Sequence, residues 1–92
     1  MATVELTPHL HTFFPALRRE PLEVSGATVA KVVRGLEELA PGFAFYVCDE
    51  LGRLRQHVNI FVGNDRISDR ATLSDPLEPG SRVLILQALS GG

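Results

Sequence analysis

No run of apolar residues in this chain approaches the ~20 that a membrane-spanning helix requires, so no span is expected. Cys48 is the only cysteine, which excludes an internal disulfide framework and a four-cysteine zinc site. Neither sign of charge is in excess: nine basic residues stand against eleven acidic ones, for a net charge of −2. That balance offers no positive field to hold a phosphate backbone, and nucleic acid is not expected as a direct partner. Lysine is scarce; Lys31 is the only one, and the other basic residues are arginines. No internal repeat or low-complexity stretch is present, and the chain holds no Walker-type glycine loop, dinucleotide fingerprint, His-Glu-x-x-His helix or paired-cysteine motif. The opening MATVELTPHL has neither a basic n-region nor a long apolar core, so a secretory signal is not expected. A soluble cytoplasmic protein is the expectation.

What is present reads as one globular domain: 92 residues, 45% hydrophobic and 22% charged. At this size folding buries roughly 60–65% of the surface of the unfolded chain, enough for one core. Glycine and proline cut the chain into short units with no gap long enough for a linker. Residues 3–7 alternate polar and apolar side chains, the pattern of a half-buried strand. Residues 9–19 read as a loop around Phe13-Phe14, and residues 21–25 as a second short strand, antiparallel to the first. Thr28 is the candidate N-cap of the clearest helix, because its hydroxyl can accept an orphan N–H of the first turn. Val29, Val32, Val33, Leu36, Leu39 and Ala40 form its apolar stripe, and Pro41-Gly42 ends it. Gly35 in its interior costs up to ~1 kcal/mol relative to alanine.

Residues 43–48 fit a strand or a helical turn equally well. A polar turn around Gly52 follows. Residues 57–62 alternate, with Val58, Ile60 and Val62 pointing one way and His57, Asn59 and Phe61 the other. Gly63-Asn64-Asp65 is a turn, Arg66-Ile67 starts a very short strand, and residues 74–80 are loop with room for one helical turn after Ser74. Residues 82–89 are apolar on both faces, as in a central strand covered above and below. The expected fold is α+β: one helix crossing a mixed four- to five-stranded sheet, the last strand in the middle beside the first.

Four sets of residues could carry chemistry. Cys48 could act as a nucleophile, but its neighbours Tyr46 and Val47 favour a packed thiol. His9 and His11, with His57 or Cys48, could bind zinc; His-x-His alone is a weak signal, and no metal site is expected. Arg18-Arg19, Arg53-x-Arg55 and Arg66 could form a basic patch, yet Glu20, Asp49, Glu50 and Asp65 stand beside them, as on a mixed solvated surface. The fourth is Gly91-Gly92. Glycine has no side chain and passes through a channel too narrow for other residues. A strand running directly into Gly-Gly can therefore deliver the Gly92 carboxylate to a buried site on another protein, where ATP could activate it. The plain alternative is a frayed end.

Gly26-Ala27-Thr28-Val29, Val58-Asn59-Ile60-Phe61-Val62, Leu77-x-x-Gly80-Ser81-Arg82-Val83 and the terminal Gly91-Gly92 together resemble the ubiquitin-like sulfur carriers over the whole chain. These include the molybdopterin-synthase small subunit, the thiamine-pathway carrier and the carrier that serves a cysteine synthase. The length and the insertion at residues 43–55 are most similar to the last type. The resemblance implies a β-grasp domain over residues 1–89 and a flexible tail at 90–92. It also implies a non-enzyme that binds no cofactor: a ubiquitin-activating-type enzyme uses ATP to adenylate Gly92, a sulfur donor converts it to a thiocarboxylate, and a sulfur-acceptor enzyme receives the sulfide. Gly91 and Ser90 would then give access to the tail. Ser90 stands where small apolar residues or threonine are common, and Leu89 with Gln87 also departs from the pattern. Two other readings remain open: a modifier conjugated through Gly92 to target lysines, able to chain on itself only at Lys31, and a non-catalytic β-grasp interaction domain.

If Val58, Ile60 and Val62 face the helix, Phe61 points away from it, and Val83 and Ile85 in the core leave Leu84 and Leu86 beside Phe61. That apolar patch is the expected partner-binding surface. A register one residue off would bury Leu84 and Leu86 instead.

Overall fold

The computed structural model describes residues 1–88; the expected tail at 90–92, with Leu89, lies outside them. Five strands form one sheet. β1 (Ala2–Leu6) and β2 (Leu22–Val24) pair antiparallel, with Val4 opposite Leu22. β3 (Val58–Val62) and the two-residue β4 (Asp65–Arg66) make a second antiparallel pair. β5 (Arg82–Gln87) lies between the two pairs in the order β2-β1-β5-β3-β4. It runs parallel to β1, with Leu6 opposite Ile85, and antiparallel to β3, with Ile60 opposite Ile85. Ile60 and Ile85 are fully buried at the centre of the core.

Between β1 and β2 lies a short helix, α1 (Pro8–Phe13); the expected helix is α2 (Val29–Leu39), and the Thr28 hydroxyl does accept the Lys31 N–H, at 3.3 Å. Val29, Val32, Val33 and Leu36 pack into the core. Gly35 is more than a propensity penalty: a Cβ there would stand 2.5 Å from Val24 Cγ1 on β2. The missing side chain is what lets helix and sheet approach.

The structure departs from the sequence expectation, or settles what it left open, in four places. Residues 9–19 are not a loop: α1 (Pro8–Phe13) and a 3₁₀ turn (Pro15–Leu17) run through them, each opened by a proline whose fixed φ suits a helix start. Each buries a single leucine, Leu10 or Leu17, so neither shows a periodic stripe. The ambiguous residues 43–48 resolve as α3 (Phe43–Val47), which buries Phe43 and Val47 on one side. The Glu37 carboxylate accepts the N–H groups of Gly42 and Ala44 at its start, which holds Glu37 below its ordinary value.

The third difference is after Ser74, where no helical turn forms. The local carbonyls serve α2 instead: Leu73 O accepts the Ala30 N–H and Asp75 O the Val29 N–H, satisfying orphan donors of its first turn. Fourth, β5 is central but not covered on both faces. Val83 and Ile85 are buried, whereas Leu84 and Leu86 on its other face are only half-buried.

Asp69 organises the loop before Asp75. Its carboxylate accepts the hydroxyls of Ser74 and Thr72 and the N–H groups of Ala71, Thr72 and Ser74. The Ser74 hydroxyl first, then that of Thr72, hold it well below the usual carboxylate range. A carboxyl with a depressed folded pKa stabilises fully above its unfolded value, 3.8 here, and loses that contribution as pH falls from there toward the folded value. Melting curves of the wild type should therefore shift down below about pH 4, and Asp69→Asn should show a smaller acid shift over the same window. Identical acid limbs in the two proteins would refute this role.

Candidate functional site

The strand register builds the outer sheet face. Residues directly opposite one another share a face, so Phe61 lies beside Leu84 on β5 and Arg66 on β4, Asn59 lies beside Leu86, and Leu84 also neighbours Glu5 on β1. Phe61, Leu84 and Leu86 are all half-buried on this face. Polar groups surround them. The Arg66 guanidinium sits 5.7 Å from the Phe61 ring centroid, and Arg82 pairs with Glu5 at 2.6 Å. Both partners of that ion pair are exposed, so it adds little stability; it borders the apolar strip with one charge of each sign.

Arg70, which the sequence reading passed over, fixes the β3 end of this face. Its Nη1 donates to Asn59 Oδ1 at 3.2 Å, and its Nη2 to the carbonyls of Arg55 and Val58 at 2.8 and 3.0 Å. The asparagine of the Val-Asn-Ile-x-Val stretch thus has a structural partner eleven residues along the chain. Arginine within a polar loop carries no sequence signal of such a clamp.

The end of β5 is tied on both sides. The Gln87 N–H donates to Thr7 Oγ1 at 3.4 Å, and the Ala88 N–H to the His57 carbonyl at 2.9 Å. On the helix side, Gln87 Nε2 donates to Tyr46 Oη at 3.1 Å. Ala88, the last described residue, is exposed. The expected reactive residue Gly92 and its access residues Gly91 and Ser90 lie outside the described residues.

The other candidates are dispersed. Cys48 is buried, and burial first, then the Asp49 carboxylate, push its thiol up, with Arg55 opposing. That is the reverse of an activated nucleophile. His9 and His11 lie on α1 and His57 just before β3; among the described residues no group of three His, Cys, Asp or Glu side chains is placed to hold a metal ion. The arginines do not converge either. Arg53 bonds Asp49 at 3.2 Å, Arg55 donates twice to the Phe45 carbonyl, and Arg66 covers Phe61. Arg18 and Arg19 line a cleft of about 690 Å³ along β1 with Glu5 and Glu20. Among the described residues no helix is long and apolar enough to cross a membrane.

The sequence model of the ThiS family matches residues 9–92. No curated protein gave a match. Among solved structures the chain is similar to Mycobacterium tuberculosis CysO, at 26% identity and TM-score 0.82, over 97% of this chain and 100% of that one. It is similar to a chain of the Amycolatopsis orientalis BexX/CysO complex, at 23% identity and TM-score 0.84, over the whole of both. It also resembles the small archaeal modifier protein 1 of Methanosarcina acetivorans, at 23% identity and TM-score 0.77, over 99% of this chain and 95% of that one. The two likenesses at 23% speak to the fold alone. The mixed sheet with a central parallel pair and one long crossing helix is the β-grasp arrangement these structures share. With 84 of its 92 residues inside the family match, the chain belongs to the ThiS family of ubiquitin-like sulfur carriers.

Proposed function

We propose that this protein carries sulfur as a thiocarboxylate on Gly92 and passes it to a biosynthetic acceptor. The observation that carries the reading is the family match, which runs through Gly91-Gly92. The anchoring of Ala88 at the end of the central strand supports it. In the first step a Gly92 carboxylate oxygen attacks the α-phosphorus of ATP on a ubiquitin-activating-type enzyme, and pyrophosphate leaves. Sulfide equivalents from a sulfur donor then attack the acyl carbon and AMP leaves, forming the terminal thiocarboxylate. The protein itself is the co-substrate, and ATP belongs to its partner. Intact mass measured after incubation with the activating enzyme, ATP and a sulfide source should rise by the difference between sulfur and oxygen. No rise with a demonstrably active enzyme would overturn the reading.

The likeness to a small archaeal modifier protein favours a second reading, conjugation through Gly92 to lysines of other proteins. Peptides bearing a Gly-Gly remnant would support it. Self-conjugation to a lysine would be confined to Lys31, which is exposed on α2.

Phe61, Leu84 and Leu86 are the proposed docking strip for the partner. The BexX/CysO complex supports docking of a similar domain onto another protein. Fully burying a leucine is worth ~1.5–3 kcal/mol, and each 1.4 kcal/mol is about tenfold in affinity. Leu84→Asp should therefore weaken binding to the activating enzyme by about tenfold or more in a titration, with little change in melting temperature, because Leu84 is outside the core. Unchanged affinity would remove the strip from the interface.

A further inference from the structure

A cavity of about 390 Å³ opens where β5 ends, on the helix side rather than the outer sheet face, lined by Gly42, Phe45, Tyr46, Arg55, His57 and Gln87. Its rim carries exposed aromatic surface. Phe45 in its lining is 59% exposed, and Phe13, which packs on Tyr46 beside it, is 53% exposed, although both are large apolar side chains. They are held rather than loose. The Phe13 and Tyr46 ring centroids are 5.3 Å apart, and His9 packs edge-on to Phe13 at 4.8 Å. The Arg55 guanidinium lies 5.0 Å from the Phe45 ring centroid while its Nε and Nη2 donate to the Phe45 carbonyl. Tyr46 is fixed through its hydroxyl to Gln87 of β5. Preordered aromatic and arginine side chains are the groups that dominate protein interfaces, because little entropy is lost when they are covered.

The carrier reading suggests what covers them. On it, four residues, 89 to 92, separate Ala88 from the Gly92 carboxylate, a reach of at most ~14 Å at ~3.3–3.6 Å per residue. On the carrier reading, on which this inference rests, an activating protein must bring ATP within that reach of Ala88. A standard interface buries about 800 Å² per partner, the area of a disc of roughly 16 Å radius. The whole domain measures 34 × 27 × 24 Å. A footprint of that size centred on Ala88 would reach past the outer face to the end of the sheet, where Tyr46 of α3 bonds Gln87 and packs against Phe13 of α1. Charge narrows the chemistry further. The cavity lining contributes Arg55 and His57 and no carboxylate, and Glu37 nearby is engaged by the amides of Gly42 and Ala44.

We infer that Phe13, Phe45 and Arg55, around the exit of β5, form a second contact surface for the adenylating protein, whose facing surface presents apolar side chains and carboxylates. With this surface on the helix side and the leucine strip on the sheet side, the partner holds the tail from both faces, and residues 43–55 decide which activating protein accepts it.

The test is adenylation by the purified activating enzyme of the source organism, read as pyrophosphate release against carrier concentration. Phe13→Ala/Phe45→Ala and Phe45→Glu should each raise KM for the carrier by about tenfold or more, with kcat within twofold of wild type. Arg55→Gln should raise KM less and should flatten its rise with salt, since a charge pair across the interface is lost. All these side chains are exposed or at the rim, and melting curves check the fold; Phe45→Glu alone suffices if the double variant is unstable. Unchanged KM in folded variants overturns the second surface while leaving the carrier reading intact. Failure of the wild type to be adenylated by an enzyme shown to be active overturns the carrier reading itself.

Discussion

Deleting Gly92, or adding one residue after it, will abolish adenylation and leave the fold unchanged. One residue moves the carboxylate by ~3.5 Å along an extended chain, and a misplacement of about 1 Å already costs on the order of 100-fold in a positioned reaction. The core of the described residues runs from Ala2 on β1 to Ile85 on β5, and glycine has no side chain to add to it. Stability should therefore move by less than ~0.5 kcal/mol, as for a surface change. Pyrophosphate release with the activating enzyme reads the first effect, and denaturant unfolding the second. Cys48→Ser is the contrasting variant. The Cys48 thiol is buried and pushed up by that burial, the reverse of an activated nucleophile, and sulfur loading should persist without it. Loading that survives loss of Gly92 and stops with Cys48→Ser would place the sulfur on the side chain and end the thiocarboxylate mechanism.

Gly35→Ala will destabilise the domain. Helix propensity alone predicts the opposite, a gain of up to ~1 kcal/mol. The added Cβ would meet Val24 Cγ1 at 2.5 Å, well inside van der Waals contact. Val24 is itself buried and is paired with Ala2 across β1 and β2, so relief requires α2 to lift from the sheet or Val24 to leave its rotamer. Overpacking of this kind costs about 1–3 kcal/mol, a large share of the stability of a domain this small. Equilibrium unfolding should show a lower midpoint with an unchanged slope. A more stable Gly35→Ala protein would mean that the α2–β2 contact yields freely. The double variant Gly35→Ala/Val24→Ala should recover part of the loss by making room for the methyl group.

The sequence by itself determined the positions of β1, β2, β3 and β5 and the facing of β3. Alternation in residues 57–62 placed Val58 and Ile60 inward and Phe61 outward, and the observed register agrees. The apolar run through Ile85 marked the central strand, and Thr28 marked the start of α2. These features are local, written in periods of two or 3.6 residues along segments long enough to repeat. Tertiary structure alone decided the rest. α1 and α3 span six and five residues, under two turns, so no periodic stripe can form and their helicity depends on burying Leu10, Phe43 and Val47 against elements distant in sequence. Ser74 and its neighbours do not coil into a turn because α2, some forty residues earlier in the chain, takes the carbonyls of Leu73 and Asp75. The aromatic rim has the same origin. Phe13, Phe45 and Arg55 belong to three separate segments; Phe13 packs on Tyr46, Arg55 lies over Phe45, and Tyr46 bonds Gln87 only because β5 threads between β1 and β3 and ends there. Such a juxtaposition depends on chain path, and no local pattern encodes it.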